Sequence, residues 1–284
     1  MILDSQTNKV YISEQTLWQY PRITQRLLNA LSANNVPYEL LKHTNDVWCR
    51  DYMPIQIEEN KFIKYRYFPD YLDNDRNRKY ITNPTRTLRA LGIETQRTRI
   101  VIDGGNVIKC PDCIIMTEKV FKENNHSLND TAFIKRLERL FGCEILFLPW
   151  DKNEKYGHSD GIVRYIRDNQ VLMTNYWDFD ARKADEMYNR LSRRFNVHVL
   201  SYDVENPHKN NWAYINFLHT EQVIFVPAFG REEDAQALQQ IARNYPNYKG
   251  RIFPVKVNGL VKDGGALNCI TWNIKYKYHT ESTA

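Results

Sequence analysis

The stretch TAFIKRLERLFGCEILFLPWDKNEKYGHSDGIVRYIRDNQVLMTNYW, residues 131–177, contains one complete structural unit. Thr131–Phe141 has apolar residues at helical spacing, and Cys143–Leu148 is a short apolar run typical of a strand. A polar loop with His158 follows, and two β-like runs joined by Asp168–Asn169 then predict a hairpin. The unit is therefore helix, strand, polar loop and strand pair.

The same unit occurs five times along the 284 residues. The other predicted helices are Ile23–Asn34, Thr85–Leu91, Lys183–Phe195 and Glu232–Tyr245. The strands predicted after them are Pro37–Leu41, Arg99–Ile102, Val197–Ser201 and Arg251–Val257. Polar loops recur about every 55 residues and contain Asp51, Asp103, His158, Tyr214 and Cys269. This period indicates a propeller or a solenoid-like array, and in a closed ring of five units the loops would meet at one end of the axis.

The start of the chain fits the same pattern. The run Val10–Ser13 is expected to complete the fifth unit, whose last strand is otherwise short. No linker or change of composition divides the sequence. We therefore expect an α/β fold in a single domain over residues 1–284.

The composition is that of an ordinary globular protein, with 42% hydrophobic, 26% charged and 13% aromatic residues. The net charge of +5 is mild and the basic residues are scattered, which argues against nucleic-acid binding. No apolar run reaches the roughly 20 residues of a membrane span, and MILDSQTNKV lacks the pattern of a secretory signal. Five cysteines, an odd number, favour reduced thiols. We expect a cytoplasmic protein, and leave open a signal removed upstream.

Two segments carry the clearest candidates for chemistry. Cys269, in KDGGALNCITW, is either a nucleophile or a buried structural cysteine. His158 and Asp160 are two residues apart, so on an extended segment both side chains point to the same side. No second His or Cys lies at the spacing of zinc ligands, which disfavours a metal site. Cys110 and Cys113 span a predicted hairpin turn, and a single pair of this kind is weak evidence for a metal or redox site.

Residues 45–54, NDVWCRDYMP, gather Asp46, Trp48, Arg50 and Asp51 in a compact cluster, which is either a surface ion pair or the wall of a pocket. Asp103 precedes a Gly-Gly turn. One Cys, one His and three carboxylates thus fall in register on the repeat. A thiolate needs a neighbouring base or cation, and the additional acids suggest a cationic substrate. The sequence has no phosphate-binding glycine loop, dinucleotide fingerprint or serine nucleophile elbow.

Five motifs together resemble those of the agmatine deiminases and bacterial peptidylarginine deiminases, a group of guanidino-modifying enzymes. They are DVWCRDYMP at 46–54, DGGN at 103–106, GHSD at 157–160, YINF at 214–217 and GGALNCIT at 264–271. They occur in the family's order from about residue 45 to 272. The resemblance implies the pentein fold, a five-bladed α/β propeller, in agreement with the repeat.

The resemblance also implies roles for these residues. Asp51 and Asp160 would each hold the guanidinium through paired hydrogen bonds, Cys269 would attack its carbon, and His158 would transfer protons. Asp103 would orient His158. The predicted substrate-binding residues are Trp48, Asp46, Arg50, Asn106, Asn216 and Asn268. No metal or cofactor is required. The chain departs from the family pattern at Asn268, where His is typical, at the EKYG stretch before His158, and at Asp103, where Glu is common.

The function expected from this resemblance is hydrolysis of a guanidino C–N bond to a ureido product and ammonia. The expected substrate is agmatine or a related small cationic guanidino compound, and agmatine would place the enzyme in putrescine biosynthesis. Deimination of arginine or peptidyl-arginine and transfer of the amidino group to an amine are alternatives. A catalytically silent binding propeller is the alternative of a different class, and a nucleic-acid binder ranks last. No membrane or nucleic-acid partner is expected, and a homodimer is left open.

Overall fold

Five three-stranded sheets form the protein in its computed structural model, which describes residues 1–277. In every sheet the central strand pairs antiparallel with one neighbour and parallel with the other. The sheets are β15-β1-β2, β3-β4-β5, β6-β7-β8, β9-β10-β11 and β12-β13-β14. The strands are β1 Lys9–Ser13, β2 Tyr38–Leu41, β3 Ile55–Glu58, β4 Lys61–Arg66, β5 Gln96–Val101, β6 Ile108–Lys109, β7 Cys113–Thr117, β8 Glu144–Leu148, β9 Val163–Arg167, β10 Gln170–Met173, β11 Asn196–Val199, β12 Leu218–His219, β13 Ile224–Ala228, β14 Ile252–Lys256 and β15 Thr271–Ile274.

The five predicted helices and the strands that follow them are confirmed, with bounds that differ by at most three residues. The helices are α1 Gln15–Gln19, α2 Pro21–Ala33, α3 Cys49–Tyr52, α4 Thr85–Ala90, α5 Lys119–Glu123, α6 Thr131–Phe141, α7 Ala181–Ser192, α8 Glu232–Asn244 and α9 Asn258–Val261. The five predicted helices, α2, α4, α6, α7 and α8, have six to thirteen residues and form the crossovers between the parallel strands. The other four have five residues or fewer, too short for a helical period to be visible in the sequence.

The structural unit is shifted along the chain relative to the unit seen in the sequence. Four of the sheets consist of a hairpin and the strand that follows the next crossover helix, and in the fifth the strands β15 and β1, from the two ends of the chain, take the place of the hairpin. The Asp168–Asn169 hairpin turn is confirmed, and both residues have positive φ, 45° and 58°, as a type I′ turn requires. Each polar loop therefore connects one sheet to the next, and this is what brings the five loops together.

Pairing between the two ends of the chain closes the ring. Strand β1 lies antiparallel to β15, with Lys9 opposite Ile274 and Ile12 opposite Thr271, and parallel to β2 on its other side. The prediction that Val10–Ser13 completes the fifth unit is thus confirmed. The sequence also predicts a last β-like run at residues 269–278, whose final residue, Tyr278, lies outside the described residues. The single domain over residues 1–284 stays a prediction.

A buried polar cluster lies between the first strands of the hairpins. Lys109 on β6 and Arg164 on β9 both pair with Asp4, at 3.1 Å and 2.9 Å. The side chains of the two cations are 7% and 3% exposed, so Asp4 supplies their charge compensation in a nearly dry environment. Within residues 1–277, no helix is both long enough and apolar enough to cross a membrane.

Candidate active site

The loops between the sheets bring the predicted catalytic residues together in the interior. Asp51 lies on the single-turn helix α3, Asp103 precedes a 3-10 turn at Gly104–Asn106, and His158 and Asp160 flank the start of another at Ser159–Gly161. Cys269 lies two residues before β15. All five side chains are buried, with residue exposures between 1% and 9%. Buried ionisable groups need partners, and these residues partner one another.

One chain of polar contacts links two of the acids through the histidine. His158 Nε2 donates a hydrogen bond to Asp103 Oδ2 at 2.8 Å, and His158 Nδ1 lies 3.6 Å from Asp51 Oδ1. Asp51 Oδ1 also accepts the backbone N–H of Gly105 at 3.0 Å. A Cβ on Gly105 would lie 2.7 Å from both Asp51 Oδ1 and His158 Nδ1. Only glycine allows this packing.

A second set of contacts surrounds the thiol. Cys269 Sγ lies 3.4 Å from Asp160 Oδ2 and 3.3 Å from Asn216 Oδ1. Asn216 Oδ1 also accepts the backbone N–H of Cys269, and Asn268 Nδ2 donates to Asp160 Oδ2 at 2.7 Å. The sulfur is therefore fixed beside a carboxylate that is itself held in place.

The charges in this site displace the pKa values of the reactive groups. Burial lowers the pKa of His158, but the charge of Asp51 and the hydrogen bond and charge of Asp103 outweigh burial and raise it to about 10. Burial raises the pKa of Asp51 to about 7, assisted by the charges of Asp103 and Asp160 and opposed by that of His158. Burial and the charges of Asp160 and Asp51 raise the pKa of the Cys269 thiol well above its ordinary value. These shifts favour an imidazolium and a protonated thiol at neutral pH.

Two cavities meet at the thiol. The first chamber, about 390 Å³, is lined among others by Tyr20, Asp46, Trp48, Asp51, Tyr80 and Asp263. The second chamber, about 400 Å³, is lined among others by Trp150, Asp160, Tyr176, Phe179, Trp212 and Val261. The two chambers share four lining residues, which are Tyr156, His158, Gly264 and Cys269. A ligand can therefore reach the sulfur from two directions.

Two of the predicted substrate-binding residues line the first chamber. The ring of Trp48 lies against Gly265 so closely that a Cβ on that glycine would overlap it. Asp46 is 7% exposed, accepts the backbone N–H of Val47 at 2.7 Å, and has its pKa raised by burial to about 6. The two residues therefore form an aromatic and an acidic part of the wall.

The other four predicted substrate-binding residues, Arg50, Asn106, Asn216 and Asn268, line neither chamber. Arg50 Nε donates to the carbonyl of Asn268 at 3.3 Å, and its Nη2 donates to Asn273 Oδ1. Asn106 Oδ1 accepts the backbone N–H groups of Thr117 and of Ser159. Together with Asn216 and Asn268, these residues hold the loops and side chains of the site.

Three residues of the site were missed by sequence reasoning. Tyr71 Oη lies 3.3 Å from Asp103 Oδ2, and its ring packs edge-on against Tyr156 at 5.0 Å. Lys119, 1% exposed, donates to the carbonyl of Tyr156 at 2.7 Å and pairs with Asp70 at 3.2 Å. It thereby joins the segment before Tyr71 to the loop before His158. Two features of the sequence could have indicated these residues. Lys119 is a lysine next to apolar residues, and Tyr156 stands two residues before His158.

Cys110 and Cys113 are buried in the β6–β7 hairpin and line neither chamber, with the backbone N–H of Cys110 donating to the carbonyl of Cys113 at 2.9 Å. Over residues 1–277, no group of three or more His, Cys, Asp or Glu is arranged to hold a metal ion.

Comparison with known proteins gives a consistent result. The model of the Porphyromonas-type peptidyl-arginine deiminase family matches residues 2–274. A Lactococcus lactis protein provisionally named agmatine deiminase is 25% identical over an alignment of 202 positions, which covers 60% of this chain and 54% of that protein. The chain thus spans about half the length of the curated relative it matches.

Solved structures share the fold. A Cys-to-Ser variant of C. jejuni agmatine deiminase with substrate bound has a TM-score of 0.79 at 16% identity, covering 97% of this chain and 96% of that one. Agmatine deiminase of Enterococcus faecalis has a TM-score of 0.74 at 17% identity, covering 98% and 96%. The expected five-bladed α/β propeller is confirmed.

Proposed function

Because the chain belongs to the Porphyromonas-type peptidyl-arginine deiminase family, we propose that it is a guanidine deiminase. It hydrolyses a C–N bond of agmatine or a related guanidino compound to a ureido product and ammonia. The observation that carries this proposal is the convergence of Cys269, His158 and three buried carboxylates on one point reached by two chambers. A thiol, a protonated imidazole and excess negative charge are what nucleophilic attack on a guanidinium requires.

Substrate binding uses the two acids on either side of the thiol. Asp51 and Asp160 accept hydrogen bonds from the planar guanidinium, and its positive charge compensates theirs. The same charge lowers the pKa of the Cys269 thiol, which the free acids raise. The substrate thereby promotes formation of the thiolate that attacks it, and a thiol in the empty site stays protonated.

In the covalent step, the Cys269 thiol releases its proton to solvent, and the resulting thiolate Sγ forms a bond with the guanidinium carbon. The C–N bond to a terminal nitrogen breaks, and His158 donates the proton with which that nitrogen leaves as ammonia. His158 then accepts a proton from water as it adds to the thiouronium carbon, and the S–C bond breaks to release the ureido product. Asp103, hydrogen-bonded to His158 at 2.8 Å, orients the imidazole and stabilises its protonated form.

The first chamber favours a substrate whose other end is cationic. Asp46 is buried there without a cationic partner among the described residues, and a bound ammonium would stabilise its carboxylate. Within residues 1–277 no arginine lines either chamber, so the carboxylate of free arginine lacks a bidentate partner. We therefore place agmatine and similar compounds before arginine and peptidyl-arginine.

This assignment has consequences for the setting of the enzyme. The ureido product of agmatine keeps the putrescine carbon skeleton, which places the reaction in putrescine biosynthesis. All five cysteines are free thiols, as is usual in a reducing compartment, which supports a cytoplasmic location. A homodimer is compatible with the proposal and is read directly from the molecular mass in solution.

The decisive experiment incubates the protein with agmatine, arginine and an arginine peptide, and measures ammonia and the ureido product. Turnover of agmatine with the highest kcat/KM supports the proposal. An absence of turnover with every guanidino compound would refute it in favour of a silent binding propeller. Added primary amines test the transferase alternative, since an amidino acceptor would replace water and yield a new guanidine.

A further inference from the structure

The two chambers differ in which acid they contain. Asp51 lines the first chamber and does not line the second, whereas Asp160 lines the second and does not line the first. Cys269 and His158 line both. A guanidinium held between the two acids therefore has one terminal nitrogen at the inner end of each chamber. Under the proposed function, the tail of an agmatine-like substrate occupies the first chamber, and the second remains unassigned.

The aromatic side chain of Tyr156 lies at the boundary between the chambers, because it lines both. Its ring packs on Gly264, where an added Cβ would overlap the ring, and the φ of +94° at Gly264 also disfavours any other residue. Tyr156 Oη donates to the carbonyl of Asp263 at 3.0 Å, which fixes the ring across the space between the chambers. The second chamber is therefore a separate space that meets the first at the reacting atoms.

The lining of the second chamber is mainly aromatic and apolar, with rings supplied by Trp150, Tyr176, Phe179 and Trp212. Two of its acidic side chains are already engaged. Asp151 accepts hydrogen bonds from Tyr176 Oη at 2.8 Å and from the backbone N–H of Asn153, and Glu154 accepts the backbone N–H of Tyr156. Asn153, Asn210 and Lys262 also line the chamber and are at least partly exposed to solvent. The rest of the available surface is mainly aromatic, which suits an apolar or aromatic group.

We propose that the second chamber binds an apolar or aromatic substituent on the guanidino nitrogen beside Asp160, so that the enzyme accepts guanidines substituted on two nitrogens. The inference rests on the proposed function, because it uses the same thiol and imidazole. The Sγ–C bond forms, the C–N bond to the substituted nitrogen breaks, and that nitrogen takes a proton from His158 and leaves as a primary amine. Water then supplies the oxygen of the ureido product, and the S–C bond breaks.

The test uses agmatine and an agmatine that carries a benzyl group on a terminal guanidino nitrogen. Ammonia, benzylamine and the ureido product are measured separately. The expected result is release of benzylamine, with the same ureido product as from agmatine. If agmatine is turned over while the benzyl compound is inert, or loses ammonia and keeps its benzyl group, the inference is wrong and the proposed function stands. Failure of both compounds would instead defeat the proposed function.

Substitutions in the second chamber test whether the benzyl group binds there. Trp212→Ala should lower the ratio of kcat/KM for the benzyl compound to that for agmatine by about tenfold or more. Gly161→Leu should lower the same ratio by filling the chamber, since a Cβ on Gly161 lies 3.6 Å from the Trp212 ring. Tyr188→Ala is the matched control, an exposed aromatic residue outside both chambers, and should leave the ratio unchanged. A ratio that does not change in either chamber variant would overturn the inference.

Discussion

Asn268 donates its side-chain amide to Asp160 Oδ2 at 2.7 Å, and thereby holds the carboxylate that lies beside the sulfur of Cys269. Asn268 is also one of the three places at which the chain departs from the family pattern. The amide supplies a donor to the acid without adding charge to the site. Under the proposed function, its role is to position an acid that binds the guanidinium.

Replacement of Asn268 tests this role. Asn268→Ala removes a hydrogen bond to a charged group, and we expect kcat/KM to fall by about tenfold or more. Asn268→Asp places a second carboxylate next to Asp160, and like charges raise the pKa of the pair. Its activity should be lower still at neutral pH and should recover partly at alkaline pH. Wild-type kinetics in both variants would contradict the role.

Cys269→Ser should abolish turnover, because a hydroxyl beside two acids is a far weaker nucleophile than a thiolate. The side chains are similar in size, so the melting temperature should stay close to that of the wild type. Ammonia release and thermal unfolding measure the two effects. Cys143→Ser, a partly buried cysteine outside both chambers, is the control and should remain active. Near-full activity of Cys269→Ser would refute the covalent mechanism.

The pH profile of kcat/KM should decline on the acid side below about pH 7. Burial and neighbouring acids raise the pKa of Asp51 to about 7, so its binding-competent carboxylate is lost as the pH falls through that value. The substrate guanidinium stays charged throughout this range, and the loss should approach tenfold per pH unit. On the alkaline side, the profile should decline above about pH 10 as His158 loses its proton. A flat profile between pH 5 and 8 would exclude this assignment.

Gly265→Ala should raise KM, because the added methyl group would overlap the ring of Trp48 and displace the wall of the first chamber. A displaced substrate contact typically costs between tenfold and about a hundredfold in rate or affinity. Gly259→Ala is the matched control, since a Cβ there meets Ile23 Cδ1 at an ordinary 3.7 Å. Steady-state kinetics of both variants decide the point, and an unchanged KM in Gly265→Ala would show that Trp48 does not line the binding site.

Asp4→Asn should destabilise the fold by about 3–5 kcal/mol, because it leaves Lys109 and Arg164 buried without their counter-charge. The free energy of unfolding is measured by denaturant titration. Asp73→Asn is the comparison, since the Asp73–Arg78 pair is 39% and 57% exposed and its loss should have little effect on stability. Equal destabilisation by the two substitutions would show that the buried cluster contributes no more than a surface pair.

The sequence predicts the fold in detail because its repeat is regular. Helical spacing identified the crossover helices, and turn residues such as Asp168–Asn169 identified hairpins. The reactive residues followed from their register on the repeat. Arg50 shows the limit, because it is the neighbour of Asp51 on a single helical turn yet its side chain binds Asn268 and Asn273. A separation of one residue does not reveal which side of the turn faces the cavity.

The two chambers could not be predicted for a related reason. At the boundary between them, the ring of Tyr156 packs on Gly264, and these residues are more than 100 positions apart in the chain. Lys119 likewise joins two loops that are separate in sequence. Such contacts depend on packing between units, and a single sequence contains no periodic signal for them.

Because β1 pairs with β15, the ring can close only after β15 has been synthesised on the ribosome. Strand β1 is made first, and its antiparallel partner emerges only after the other four sheets have been synthesised. Cys269 lies just before that last strand, so the nucleophile is placed in the same event that joins the ring. Under the proposed function, a nascent chain that lacks β15 therefore has its acids and histidine without the reactive sulfur beside them.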